Sequence, residues 1–306
     1  MDRSDVILCK ELLRNSRVPY TELAKAVGIS VPAVHKRVRE LVDDGIIGGF
    51  VANIDITAVG GLSIMAYGRS KATNPIEVAD TLAEHDSTWM VLLGGGNQVF
   101  VNAFLRSAAE METYRDFFMR TAAVDEPTMG IHMLRPEGVR LPDVTNELTP
   151  LELRIISSLH HDSRKQHSEI AEDIGISART VASKLNRMVK EGRVRLTLDW
   201  RPAFTSDTIS LFELRLADPA GRSKALAMLK DQYPDRAVMV SAFTDIPDLI
   251  IATVWTPTMH DVEGVMRGFL SAGLFSSVVP HIVYSGRRSE TWKDRLIPVL
   301  ERPASR

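Results

Sequence analysis

The chain has 306 residues, 44% of them apolar, with 37 basic residues against 39 acidic ones. That length suggests two or more domains, and the near-cancelling charge excludes a uniformly basic nucleic-acid-binding molecule, so any DNA contact must be a local patch. The single cysteine, Cys9, excludes an internal disulfide and a Cys-rich zinc site and fits a reducing compartment; it is expected in a helix core. The N-terminus carries early acids and too short an apolar run for a signal peptide, and no later run reaches the ~20 apolar residues of a membrane helix. A soluble, cytoplasmic protein without a membrane partner is expected.

In chain order, an apolar helix pattern (Val6, Ile7, Leu12, Leu13) and a polar loop precede TELAKAVGISVPAVHKRVRELVDDGII, residues 21–47. IIGGFVANID and LSIMAYGRS read as strands, PIEVADTLAEH as a helix, WMVLLGG and VFVNAFLRS as a hairpin, AAEMETYRDFFMRTA as a helix and TMGIHML as a strand. A Pro- and turn-rich linker, 136–149, follows. A second helix pattern (Leu153, Ile155, Ile156, Leu159) and the loop HHDSRKQH then lead to SEIAEDIGISARTVASKLNRMVKEGRV, residues 168–194. After it, RVRLTLDW, TISLFELRLA, RSKALAMLKDQY, AVMVSAF, DLIIATVWT, MHDVEGVMRGFLSA and VVPHIVYS repeat the earlier order. Both halves therefore read βαββαβ, the arrangement of a ferredoxin-like sheet. The fold class is α+β, internally duplicated, with two winged-type helix-turn-helix domains and two ferredoxin-like domains.

Residues 21–47 and 168–194 align without a gap, with identities at Glu22/Glu169, Ala24/Ala171, Gly28/Gly175, Ile29/Ile176, Ser30/Ser177, Val34/Val181, Val42/Val189 and Gly45/Gly192. Gly28 and Gly175 follow a short helix, where a left-handed residue permits a sharp turn. Ser30 and Ser177 can cap the next helix and, with Thr180, are expected among the DNA contacts at its start, and Pro32 falls in the first turn. Val34, Val38, Leu41 and Val42, like Val181, Leu185, Met188 and Val189, are expected on one buried face. The opposite face offers His35, Lys36 and Arg39 in one copy and Arg179, Ser183 and Asn186 in the other, with Thr180 beside the second cap and Arg37, Lys184 and Arg187 nearer phosphates. Residues 30–49 hold three bases against three acids, whereas 177–195 hold six against one (Glu191), so the second copy is expected to dominate phosphate attraction.

With ELAKAVGIS…VHKRVRELVDDGII, a connecting strand and a βαββαβ domain in hand, the chain resembles the Lrp/AsnC (feast/famine) transcription regulators over nearly its whole length, twice. The resemblance implies DNA reading by the helix-turn-helix and a RAM-like domain that pairs with another copy and often senses an amino acid or related small molecule. Usual members carry one unit and dimerise; here the two units are expected to pair within one chain as a pseudo-dimer. The expected domains are helix-turn-helix 1 at 1–54, RAM-like 1 at 55–135, helix-turn-helix 2 at 150–200, RAM-like 2 at 201–286, and a partly helical, amphipathic tail at 287–306. Because the two reading faces differ, an asymmetric operator in double-stranded DNA is expected, with further homo-oligomerisation through the RAM-like sheets.

Family members place a ligand-contacting Thr-Gly-x-x-Asp-like turn after the second sheet strand. Here Gly94, Gly95 and Asn97 occupy it in one half and Thr244, Asp245 and Asp248 in the other; glycines could admit a carboxylate and the acids an ammonium, or both could be ordinary hairpin turns. The effector's identity stays open, no cofactor is expected, and His160, His161 and His167 read as a solvated loop rather than a metal site. Similar helix-turn-helix plus RAM-like proteins include the siroheme decarboxylases, for which His132 and His281 would be the candidate groups. A non-enzymatic regulator is the expectation, with that enzyme or an architectural DNA-binding protein as alternatives.

Overall fold

The computed structural model describes residues 1–133, 148–201 and 207–298. The expected linker, apart from its last two residues, and tail residues 299–306 lie outside them. The chain divides into two compact units: one of residues 1–7, 62–137 and 202–291, the other of 8–61, 138–201 and 292–306.

The second unit holds both helix-turn-helix copies. In the first, α1 (Arg3–Arg14), α2 (Tyr20–Val27) and α3 (Val31–Asp43) run in order; in the second, α6 (Pro150–Leu159), α7 (His167–Ile174) and α8 (Ala178–Lys190) do so. Gly28 and Gly175 take φ of 76° and 72°, the left-handed C-caps that let α2 and α7 turn. Ser30 and Ser177 accept hydrogen bonds from the N–H groups of Ala33 and Thr180, capping α3 and α8. Val34, Val38 and Leu41, and Val181, Leu185 and Met188, are buried as expected, and Cys9 is buried in α1. Val42 and Val189 are not; each is 41% exposed. Eight residues of helix advance about 80° past two full turns, which carries both valines off the apolar stripe.

Strands β1 (Ile47–Ile54) and β6 (Val194–Trp200) leave the two copies and pair antiparallel, Phe50 opposite Leu198 and Val51 opposite Thr197. Each strand also contacts the other copy's domain. Ala52 and Ile54 of β1 enter one core with Ile155, Ile156, Leu159, Ile170, Val181 and Leu185 of the second copy. The Oγ1 of Thr197 in β6 donates to the Leu13 carbonyl of the first.

The first unit is an eight-stranded antiparallel sheet in the order β5-β2-β4-β3-β10-β7-β9-β8. Its strands are β2 (Leu62–Arg69), β3 (Thr88–Gly94), β4 (Gln98–Leu105), β5 (Thr128–Ile131), β7 (Thr208–Leu216), β8 (Ala237–Ala242), β9 (Leu249–Thr256) and β10 (Phe275–Arg288). Each half shows the ferredoxin-like order, the fourth strand beside the first, then the third and second, and the halves join where β3 pairs with β10. Helices α4 (Pro75–Ala83) and α5 (Met111–Ala122) cover one half, and α9 (Arg222–Gln232) and α10 (Met259–Ser271) the other. The outer edges also meet: His132 bridges Phe243, and the Met133 N–H donates to the Ala242 carbonyl. Edge closure removes the unpaired backbone row that an open sheet would expose.

At each junction a glycine faces a larger residue, in close approach at one and at ordinary contact distance at the other. At one, a Cβ on Gly130 would fall 2.6 Å from the Phe243 ring; at the other, a Cβ on Gly94 would lie 3.7 Å from that of His281. β10 runs on to Arg288 through its pairing with β3, and among the described residues of the expected helical tail, 287–298, there is a single 3-10 turn at Asp294–Leu296. Lys293 is buried, donates to the Ile54 carbonyl, and has its pKa lowered by that burial.

Candidate nucleic-acid interface

The reading face of α3 places His35, Lys36 and Arg39 in solvent, with Arg37 half-buried; that of α8 exposes Arg179, Ser183, Asn186 and Arg187, with Thr180 and Lys184 half-buried. Ser30 and Ser177, both exposed, head these helices with their hydroxyls committed to capping, and the Ser177 Oγ lies 2.8 Å from the Thr180 Oγ1. Helix N-termini present backbone N–H groups and a positive dipole end, which suits phosphate.

The charge advantage of the second copy is smaller than its composition suggests. Arg193 is buried, its guanidinium 3.2 Å from both carboxylate oxygens of the buried Glu152 and 2.7 Å from Glu191. Arg187 also donates to Glu152, at 2.8 Å, and Arg195 pairs with Asp55 at 3.4 Å. Burial would raise the Glu152 pKa, but Arg193, the Thr149 N–H and hydroxyl, and Arg187 together hold it at about 2. Arg179, Lys184 and Lys190 remain as the outward cations of α8. On α3, Lys36 lies 3.7 Å from Glu40 one turn on, an exposed pair of little energy.

The loop HHDSRKQH keeps His161, Asp162 and Gln166 in solvent, as expected, but its middle is buried. Ser163 is fully buried, and its Oγ meets that of Ser16, also fully buried, at 2.6 Å. Arg17 donates through Nε to the Ser163 carbonyl and through Nη2 to that of Lys165, both at 2.6 Å, and its Nη1 lies 3.1 Å from His167 Nε2. Arg164 returns the contact, donating to the Ser16 carbonyl at 2.7 Å and the Tyr20 hydroxyl at 2.6 Å while its guanidinium stacks 3.7 Å over the Phe50 ring. The pairs Ser16/Ser163, Arg17/Arg164 and Tyr20/His167 all keep the 147-residue offset of the repeat. Extending the alignment five residues upstream of Thr21 would have revealed the Ser-Arg identity. His160 Nδ1 lies 3.2 Å from the Ala52 carbonyl.

The two candidate effector turns differ. In the first half, Gly96 and Asn97 take left-handed φ of 71° and 60°, and Asn97, just beyond Gly94 and Gly95, lines an open depression of about 650 Å³ with Arg69, Lys71 and Glu126. In the second, the acids are already engaged. Asp245 accepts the Ile131 N–H at 2.8 Å, Thr244 donates to the Ile131 carbonyl, and Asp248 lies 3.3 Å from Arg215.

Of the two histidines considered for an enzymatic site, His132 sits beside Asn102 at 3.1 Å, and burial lowers its pKa to about 4. His281 faces Glu213 at 3.7 Å and the Phe100 ring at 5.3 Å. Met65, Tyr67, Phe100, Leu211, Phe243, Leu249 and Ile251 pack the sheet face around them.

Residues 1–47 and 148–195 both match the winged helix-turn-helix DNA-binding family. The chain is 32% identical over 102 residues to the HTH-type transcriptional regulator LrpA of Pyrococcus horikoshii, covering 33% of this chain and 72% of that one. It is 27% identical over 146 residues to the HTH-type transcriptional regulator FL11 of the same organism, covering 46% and 96%. The solved structure of the siroheme decarboxylase NirDL superposes with a TM-score of 0.63 at 14% identity, over 95% of this chain and 94% of that one, a likeness of fold. Fold and sequence together define a helix-turn-helix regulator of the DNA-binding class. The chain belongs to the Lrp/AsnC family, in a tandem form that carries two helix-turn-helix regions. Among the described residues, no helix is long and apolar enough to cross a membrane.

Proposed function

We propose that this chain is a sequence-specific transcription regulator whose two halves act as an intramolecular pseudo-dimer on one asymmetric operator. The observation that carries this reading is the link between copies: β1 and β6 pair, β1 packs into the second copy's core and β6 bonds the first copy's backbone, while the reading faces of α3 and α8 carry different side chains. A homodimer presents identical helices to a palindrome, whereas a fused pair can read two different half-sites. His35, Lys36, Arg37 and Arg39 would read one, and Arg179, Thr180, Ser183, Lys184, Asn186 and Arg187 the other. Genomic footprinting with competitor DNA tests this: protection of a non-palindromic site that survives excess competitor supports it, and protection without sequence preference would make the protein an architectural DNA binder.

Small-molecule sensing belongs to the first half in this reading. Asn97, just beyond Gly94 and Gly95, lines an open depression, while Asp245 and Thr244 bond Ile131 at the sheet's edge and Asp248 pairs with Arg215. Calorimetry with an amino-acid panel checks it; unchanged binding in an Asn97→Ala variant would remove the site. Oligomerisation through the sheet unit is consistent with the exposed apolar side chains Met239, Val279 and Tyr284, and light scattering decides it.

The match to NirDL along nearly the full chain supports a second reading, a siroheme-decarboxylase-like enzyme. The packed sheet face around His132 and His281 weighs against it, since a tetrapyrrole would have to displace that packing. Adding siroheme and following its Soret band separates the two: a saturable shift favours the enzyme.

A further inference from the structure

Beyond reading DNA, the helix-turn-helix unit must hold its two reading helices at a defined separation and angle. The β1–β6 pairing ties the two copies together through strands packed into their cores, but a two-stranded ribbon can still vary in twist, so the angle between the reading helices needs a second contact. We propose that Ser16–Arg17 and Ser163–Arg164 form a reciprocal clasp that fixes α3 against α8 and thereby sets the operator half-site spacing the chain accepts.

Four observations converge. The contact is reciprocal at the repeat offset, each arginine crossing to the carbonyl of the other's preceding serine, at 2.6 and 2.7 Å. It is buried at its centre, where the two serine hydroxyls meet. A guanidinium offers a rigid fork of donors, so two bonds from one side chain fix direction as well as distance. Finally, the clasp reaches both reading domains. Tyr20, which accepts from Arg164, packs its ring 4.1 Å from that of His35 on α3, and Arg17 reaches His167, the first residue of the helix that packs on α8.

On B-DNA, one added base pair moves a half-site by about 3.4 Å and about 35° around the axis, so a rigid pair accepts one spacing and a loose pair several. This operator half of the inference rests on the DNA-reading proposal; the rigidity half does not, and the test treats them separately. Spin labels at Val42→Cys and Val189→Cys, in a Cys9→Ala background, report the distance between α3 and α8 without DNA. A narrow distribution is expected in that background, widening about twofold when Arg17→Ala and Arg164→Ala are added. In a duplex series with half-site centres varied around 10 to 10.5 base pairs, the parent's affinity is expected to fall about tenfold off its optimum and the clasp variant's to vary by about threefold or less, with single-half-site affinity unchanged.

An unchanged distance distribution overturns the proposal whatever the DNA does. Widening without a flatter spacing profile overturns the role in spacing. A parent chain that binds no DNA sequence-specifically overturns the regulator reading, and the distance data alone then decide the clasp. Should circular dichroism show the double variant unfolded, Tyr20→Phe, which removes one acceptor, is expected to widen the distribution partially; no widening overturns the clasp.

Discussion

The two helix-turn-helix copies share a backbone and differ in what holds it. In the second, a buried carboxylate, Glu152, anchors Arg193 and Arg187 beneath the end of the reading helix. At the same repeat positions the first copy has Asp5, Ile46 and Glu40, and Ile46 is simply buried as an apolar residue. One copy is thus closed by hydrophobic packing and the other by an ion network, although their caps and turns are the same. The lesson is that a scaffold specified by a few Gly, Ser and Val positions leaves the filling free to diverge.

The comparison is broken most severely at Glu152. Glu152→Gln leaves the buried Arg193 with Glu191 as its remaining carboxylate partner and is expected to cost about 3 kcal/mol, read by denaturant unfolding, because a buried charge that loses its buried partner is the expensive outcome. Acid tests the same group more gently. Its folded-state pKa is depressed to about 2, so its contribution is fully present above the ordinary carboxylate range and is lost as pH falls from about 4.5 towards 2. A loss of about 2 kcal/mol over that window is expected after allowing for solvent screening, and a flat unfolding profile between those limits would contradict it. On DNA, replacing Arg179 and Lys184 is expected to weaken binding more than replacing Lys36 and Arg37 and to lower the salt slope by about 2; equal losses in gel shifts would refute that ranking. Ser30→Ala and Ser177→Ala should each cost about 1 kcal/mol, nearly equally, because the caps are the part the copies share.

The smallest effect separates the two sides of the clasp. Burial, then the Arg17 charge, lowers the His167 pKa, so the folded state resists its protonation and the contact is weakened as pH falls below the ordinary histidine range. Its counterpart in the first copy is Tyr20, a phenol. His167→Tyr should remove this component of acid sensitivity, which urea unfolding at pH 7 and pH 5.5 will show; an unaltered pH dependence would exclude His167 as its source.

Much of this was legible from sequence because the signals are local. The left-handed turns at Gly28 and Gly175, the serine caps and the duplicated strand order depend on neighbours within a few residues. The clasp was not, since Ser163–Arg164 lies in a stretch whose polar composition resembles any solvated loop, and only pairing with its own repeat copy buries it. Arg193 misled for the same reason: its partner, Glu152, is 41 residues away. Asp245 likewise has an acid's composition for a ligand site but spends it on the Ile131 N–H across the sheet.

The glycine and ring packing at the two sheet junctions has a consequence for ancestry and engineering. By strand register, Gly130 occupies the place in its half that His281 does in the other, and Gly94 that of Phe243. Two copies of the first half would therefore set glycine against glycine at both junctions, leaving gaps, and two copies of the second would set ring against ring. Only the unlike pairing fills both. Severed at the linker and co-expressed, the halves should assemble as a one-to-one heterodimer in preference to either homodimer, which native mass spectrometry can weigh directly; the fusion has become a lock with one key.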